Sequence, residues 1–155
     1  MLYRSILWAT DASWQAEEAL QEALNVLSPG GRLIAFHCKE QLNRSKGSGT
    51  EPPPPDEGDR VVALHAEVAQ LQDEGVDAVF RVVTPRRSLV EEIVRAAEIH
   101  DVDVIVCGTR GFGAAAQAGT IAQRLPDLAP CPVLLVSERA GDRSRHLGRV
   151  QRHSL

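Results

Sequence analysis

The chain has 155 residues, a formal net charge of −4, 43% hydrophobic residues and 25% charged residues. This length and composition are typical of one globular domain that buries its own core. The acidic balance argues against a nucleic-acid binder, which needs clustered Lys and Arg to neutralise phosphates. No apolar stretch approaches the ~20 residues of a membrane span, and residues 1–4 show no signal peptide. We therefore expect no membrane contact and a cytoplasmic location.

Five short apolar runs predict buried β-strands. They are Ile6–Ala9, Leu33–Phe36, Ala78–Phe80, Val104–Cys107 and Val133–Val136. Apolar stripes at helical spacing separate them, the first over residues 16–27, where Ser13 is the expected N-cap and Pro29–Gly31 the expected stop. Strands that alternate with helices predict a single doubly wound, five-stranded parallel sheet with helices on both faces.

Two segments interrupt this rhythm inside the predicted domain of residues 1–138. Residues 39–58 contain four consecutive prolines with Gly and Ser, and we interpret them as an extended loop. Residues 139–155 are basic and lack an apolar period, which predicts a mobile tail. The three cysteines lie in or beside apolar runs without a C-x-x-C spacing, so we interpret them as reduced core thiols.

The loops that leave the strands are where a doubly wound sheet binds ligands. The first strand ends at Ala9-Thr10-Asp11, directly before a helix, and the fourth ends in the glycine-rich segment Gly108–Gly113. Gly119-Thr120 then opens an apolar segment whose free N–H groups would attract phosphate. From these residues alone two interpretations stay open, since the glycines also suit tight turns and Asp11 also suits a helix cap.

The wider pattern resembles the universal stress protein family across nearly the whole chain. The resemblance rests on ILWATDAS, LIAFHC, VEEIVRAAEIHDVDVIVCGTRG and GTIAQRLPDLAPCPVLLV, in that order. It implies either the branch of the family that binds ATP, or the branch whose members act as nucleotide-free dimeric stress modules.

The resemblance also implies roles for single residues. Asp11 resembles the residue on the ribose side of a nucleotide, the backbone near Cys38 would meet adenine, and Arg110 would reach a phosphate. The triphosphate cradle would comprise Gly108, Gly111, Gly119 and Thr120. Ala9 and Thr10 complete the expected cofactor-binding set, and any Mg²⁺ would be held mainly by the phosphate oxygens of the expected ATP. His37 suits a buried strand-end histidine better than a catalyst.

Three features depart from the family pattern. Seven residues separate Gly111 from Gly119 where the ATP-binding branch has nine, which shifts the expected helix start. Pro126 lies inside the last predicted helix and should kink or shorten it. The usual Gly-x-Pro before the third helix is replaced by Arg87-Ser88-Leu89.

Other classes find less support in the sequence. The Gly-x4-Gly-Lys-Ser/Thr motif of P-loop enzymes is missing, Asp11 stands alone where a receiver domain needs paired acids, and the five histidines are scattered without metal-ligand spacing. We therefore predict no catalytic residue, no metal site, and a nucleotide-binding regulator with at most weak ATP hydrolysis. Pro132–Val136 should be an open edge strand that invites pairing, and the family resemblance implies a homodimer in which these last strands pair across a two-fold axis.

Overall fold

The computed structural model describes residues 2–11, 14–39, 57–109, 120–137 and 149–153. Within them the strands are β1 (Tyr3–Ala9), β2 (Leu27–Cys38), β3 (Asp77–Val83), β4 (Val104–Gly108), β5 (Val133–Ser137) and β6 (Arg149–His153). The helices are α1 (Trp14–Val26), α2 (Glu57–Asp73), α3 (Leu89–His100) and α4 (Thr120–Leu128).

The strands form one sheet in the order β3-β2-β1-β4-β5-β6. Pairs among β1 to β5 are parallel, and β6 runs antiparallel to β5. The predicted doubly wound sheet of five parallel strands is therefore confirmed, and a sixth strand is added to it.

Residues that alternate along each strand point to opposite faces of the sheet. Both faces are apolar here, and helices pack on both. Leu7 and Ile34 belong to one core layer, which includes α3 and α4 residues. Ile6, Trp8 and Leu33 belong to the other layer, together with α1 and α2 residues. Strands buried on both faces explain why β1, β2, β4 and β5 read as continuous apolar runs.

The turn between α1 and β2 differs from the prediction. The helix ends at Val26, and Pro29–Gly31 lie inside the long β2 strand, where the register with β1 jumps from Tyr3↔Leu27 to Ser5↔Arg32. Gly30 has φ +76°, and a Cβ on Gly31 would lie 2.9 Å from the carbonyl oxygen of Arg4. These glycines allow a bulge next to β1 rather than only ending the helix.

The predicted loop of residues 39–58 also differs in part from the structure. Its last two residues are helical, since α2 begins at Glu57. Glu57 and Asp59 lie in the first turn, where the helix dipole favours acidic side chains. Residues 40–56 of the predicted loop lie outside the described residues.

The prediction that Pro132–Val136 forms an open edge of the sheet is wrong. Residues 149–153, within the predicted tail, pair with β5 from Val133↔His153 to Ser137↔Arg149. An edge strand exposes unpaired N–H and C=O groups. The backbone of a basic segment can pair with these groups, and this pairing requires no periodic apolar side chains. Patterns of hydrophobic residues do not detect a strand of this kind.

Pro126 shortens the last helix less sharply than expected. Helix α4 has nine residues and continues two residues beyond Pro126, to Leu128. Leu125 of this helix is fully buried in the core layer that includes Leu7 and Ile34, so packing keeps the short helix on the sheet. Among the described residues no helix is both long enough and apolar enough to cross a membrane.

Candidate functional site

The carboxyl ends of β1 and β4 lie side by side where the strand order of the sheet reverses. On one side of this point the chain builds β2 and β3, and on the other it builds β4 and β5. Ala9 pairs in register with Cys107, so Asp11 and Thr109 follow neighbouring strand ends. The two segments singled out in the sequence therefore leave adjacent strands. Open α/β sheets bind their ligands in such a crevice.

The end of β1 carries two buried polar residues. Thr10 is 2% exposed and Asp11 is 8% exposed. The backbone N–H of Thr10 donates to the carbonyl oxygen of Phe36 at 2.9 Å, which extends the pairing of β1 with β2 beyond Ala9. A carboxylate that is largely shielded from water requires hydrogen-bonding or charged partners. Asp11 is therefore part of the folded structure of the crevice and not a solvated surface charge.

The end of β2 brings His37 and Cys38 next to that position. His37 is 1% exposed, which confirms it as a buried strand-end histidine. Its Nδ1 lies 2.9 Å from the carbonyl oxygen of Thr10, and its Nε2 lies 2.9 Å from Oε2 of Glu57 at the start of α2. The histidine thereby joins β1, β2 and α2 at one corner of the crevice.

Cys38 is poorly suited to thiolate chemistry. Burial raises the pKa of its thiol to about 11, and the carboxylates of Glu92 and Glu57 add to the rise. The three cysteines are free thiols, but only Cys107 is fully buried, where burial raises its pKa to about 12. Protonated thiols are poor nucleophiles and poor metal ligands.

The β4 side of the crevice is formed by backbone. Gly108 is buried at the end of β4 and pairs in register with Val136, and the N–H of Thr109 donates to the carbonyl oxygen of Val136 at 3.1 Å. Thr120 begins α4. Arg110, Gly111 and Gly119 lie outside the described residues, as does the predicted N-cap Ser13. The structure thus places the two ends of the predicted phosphate cradle.

Two carboxylates near this corner were missed from the sequence. Glu57 reaches His37 across 20 residues of chain, and Glu92 is buried at 8% exposure near the start of α3. The Arg86 N–H donates to Oε1 of Glu92 at 3.4 Å, and Ser88 Oγ caps α3 by accepting from the Glu91 N–H at 3.2 Å. Only Ser88 had a sequence signal, a Ser three residues before an acidic pair at a helix start.

Among the described residues, no group of three His, Cys, Asp or Glu side chains could hold a metal ion.

This arrangement defines a doubly wound α/β protein with a polar crevice at its topological switch point. The universal stress protein family matches residues 2–137. A universal stress protein of Thermus aquaticus is 30% identical over 145 residues, which cover 87% of this chain and 99% of that protein. The chain belongs to the universal stress protein family.

Several solved structures share the fold. A universal stress protein family protein of Arabidopsis thaliana with AMP bound has a TM-score of 0.59 at 14% identity, covering 89% of this chain and 94% of its own. The Archaeoglobus fulgidus protein in complex with dAMP has a TM-score of 0.56 at 23% identity, covering 87% and 98%. A universal stress protein in complex with cAMP has a TM-score of 0.57 at 20% identity, covering 87% and 97%.

Proposed function

We propose that this protein binds an adenine nucleotide in the crevice between β1 and β4 and acts as a regulator. The observation that carries the proposal is that the buried Asp11 follows the end of β1, while Gly108 and Thr109 follow Cys107 of the neighbouring β4, which pairs with Ala9 of β1. This arrangement suits a ribose on the β1 side and phosphates on the β4 side. The AMP, dAMP and cAMP complexes of proteins with this fold support the same ligand class.

ATP is the nucleotide we propose, with the backbone from Gly108 to Thr120 around its phosphates. Helix α4 begins at Thr120, so its first N–H groups, which have no partner within the helix, lie at that end of the segment. The segment is two residues shorter than in the ATP-binding branch that the sequence resembles. AMP makes no use of a β/γ-phosphate cradle, and a comparison of AMP with ATP therefore tests the shortened segment separately from the crevice.

Titration calorimetry with AMP, ATP and ATP with Mg²⁺ tests this function. Heat with AMP and stronger binding of ATP would support both the crevice and the cradle, and AMP binding alone would restrict the proposal to a monophosphate. Absence of heat with all three at millimolar ligand would place the protein in the nucleotide-free branch. Gly119→Val should abolish ATP binding by putting a branched side chain where phosphate must approach, and equal binding by this variant would contradict the cradle.

We propose regulation rather than turnover, because Cys38 and Cys107 near the crevice carry raised thiol pKa values and the site contributes backbone groups on the phosphate side. Incubation of the purified protein with ATP and Mg²⁺, followed by separation of ADP and ATP, measures this directly. Release of ADP at a rate that Asp11→Asn removes would contradict a purely regulatory role.

A homodimer through Pro132–Val136 is the assembly we propose, and it requires β6 to leave the β5 edge. Val150→Pro should release β6, because proline cannot donate to the ladder at a position paired with Val136. Light scattering should then show a larger dimer fraction than for the unmodified chain. An unchanged mass for Val150→Pro, at concentrations up to the millimolar range, would count against β5 as a dimer interface.

A further inference from the structure

Thr10 is bonded to β2 through both of its backbone groups. Its N–H donates to the Phe36 carbonyl oxygen at 2.9 Å, and its own carbonyl oxygen lies 2.9 Å from Nδ1 of His37. The second bond uses a side chain in place of the next step of the strand ladder. The end of β1 is therefore held by His37 at the point where the chain turns toward α1.

The partners of the two ring nitrogens of His37 determine which atoms donate in these hydrogen bonds. A carbonyl oxygen only accepts, so Nδ1 of His37 donates to Thr10. Nε2 lies 2.9 Å from Oε2 of Glu57, and a contact this short needs a proton between the two atoms. The Arg60 guanidinium lies 4.0 Å from Oε1 of Glu57 and favours the ionised carboxylate. Glu57 therefore holds Nε2 in place while Nδ1 donates to Thr10.

The peptide unit that His37 holds is the one that leads into Asp11. The Thr10 carbonyl and the Asp11 N–H belong to one planar group, so a hydrogen bond that fixes the carbonyl also fixes the direction in which the chain reaches Asp11. His37 is 1% exposed and the side chain of Glu57 is 18% exposed, so water competes little for these bonds.

We propose that His37 is a positioning residue of the nucleotide site, and that Glu57 at the start of α2 holds its imidazole so that the Thr10–Asp11 peptide keeps its orientation. This role rests on the proposed function, because Asp11 is the residue assigned to the ribose. It also couples the first turn of α2 to the crevice. By linkage, a nucleotide that is bound against Asp11 should stabilise that turn.

Two substitutions of Glu57 separate the hydrogen bond from its charge. Glu57→Gln keeps a partner for His37, because an amide N–H can donate to a neutral Nε2 while Nδ1 still donates to Thr10. Glu57→Ala removes the partner. Asp59→Ala is the matched control, since it removes an exposed acid from the same turn of α2.

The first measurement is made on the free protein by nitrogen-15 NMR. Nδ1 of His37 should be protonated in both the unmodified protein and Glu57→Gln, because it donates to the Thr10 carbonyl oxygen in both. The Asp11 amide signal should stay near its original position in Glu57→Gln and Asp59→Ala and move in Glu57→Ala. An Asp11 amide signal that does not move in Glu57→Ala would overturn the positioning role.

The second measurement is the dissociation constant of ATP by calorimetry. Glu57→Ala should weaken binding about ten-fold, as expected for a lost charge-assisted hydrogen bond, and Glu57→Gln and Asp59→Ala should stay within about two-fold of the unmodified protein. Equal binding by Glu57→Ala in a protein that binds ATP would refute the positioning role alone. Absence of binding by the unmodified protein would instead remove the proposed function, and the role of His37 in it, whatever the Asp11 signal does.

Discussion

The two sides of the crevice are built in different ways. On the β1–β2 side, buried side chains supply the chemistry: Asp11, His37 and Glu57 lie within one hydrogen-bonded corner or directly beside it. On the β4 side, backbone groups of Gly108 and Thr109 form the wall. Side chains can distinguish one ligand group from another, whereas a glycine-rich backbone gives close approach to an anion. If the proposed nucleotide binds here, the β1–β2 side would set ligand identity and the β4 side would supply phosphate affinity.

The largest effect is expected from Asp11→Asn, which keeps the shape of the side chain and removes its charge. If Asp11 accepts hydrogen bonds from ribose hydroxyls, the variant should bind ATP about 10- to 100-fold more weakly. It should also lose the preference for ATP over its deoxyribose analogues. Calorimetry on both ligands measures the two effects together.

Thr109→Val is the control from the other side of the crevice. It removes a hydroxyl and leaves the backbone N–H that donates to Val136, so ATP affinity should stay within about two-fold of the original. If Thr109→Val loses as much ATP affinity as Asp11→Asn, the distinction between side-chain chemistry on the β1–β2 side and backbone groups on the β4 side is wrong.

A smaller effect should follow from Trp8→Phe, which tests what holds the β1–β2 side together. The indole Nε1–H donates to the Ala16 carbonyl oxygen at 2.9 Å, and Trp8 is fully buried. The bond ties the first turns of α1 to β1, just below Asp11. Loss of this bond and of part of the ring should reduce the free energy of unfolding by about 2 kcal/mol.

Denaturant titration measures that loss, and hydrogen exchange of α1 locates it. Ile105→Val removes a methyl group from the opposite face of the sheet and should cost about 1 kcal/mol without changing protection of α1. If Trp8→Phe is no more destabilising than Ile105→Val, the hydrogen bond to Ala16 contributes little.

The same contrast explains how far sequence reasoning reached. Apolar runs such as Val104–Cys107 predicted the parallel strands, because burial on both faces leaves a strong local signal. Asp11 and Gly108 stood out because each follows such a run. Glu57 could not be assigned to His37, since their contact depends on how the chain returns after 20 residues. Strand β6 escaped notice for a related reason, because backbone pairing with β5 leaves no pattern in side chains.

The next smaller effect concerns α3, whose start carries Glu92 close to Cys38. Ser88→Ala removes the oxygen that accepts from the Glu91 N–H and should cost about 1 kcal/mol of unfolding free energy. Ser88→Thr keeps a capping hydroxyl and should recover most of that loss in the same denaturant titration. Equal stability of the two variants would show that the cap contributes nothing to this corner.

The smallest effect is expected between α1 and α2, the two helices that pack on the same face of the sheet as Trp8. The half-buried Glu67 of α2 is hydrogen-bonded to Glu17 in the first turn of α1. Burial raises the pKa of Glu67 from 4.5 to about 7, and the neighbouring Glu17 carboxylate adds to the rise. A raised pKa means that the folded state prefers the protonated carboxyl. Folding is therefore favoured most below pH 4.5, and that contribution is lost as the pH rises to about 7.

Glu67→Gln keeps a donor for Glu17 and cannot ionise, so it should match the unmodified protein near pH 4.5 and become the more stable of the two as the pH approaches 7. The stability difference should then stay constant at higher pH. Denaturant titrations across this range measure it, with the exposed Glu98→Gln as a control whose effect should not follow the same course. A Glu67→Gln protein that is less stable than the original at pH 8 would show that the ionised pair of carboxylates is tolerated, and that contact between α1 and α2 is not limited by their repulsion.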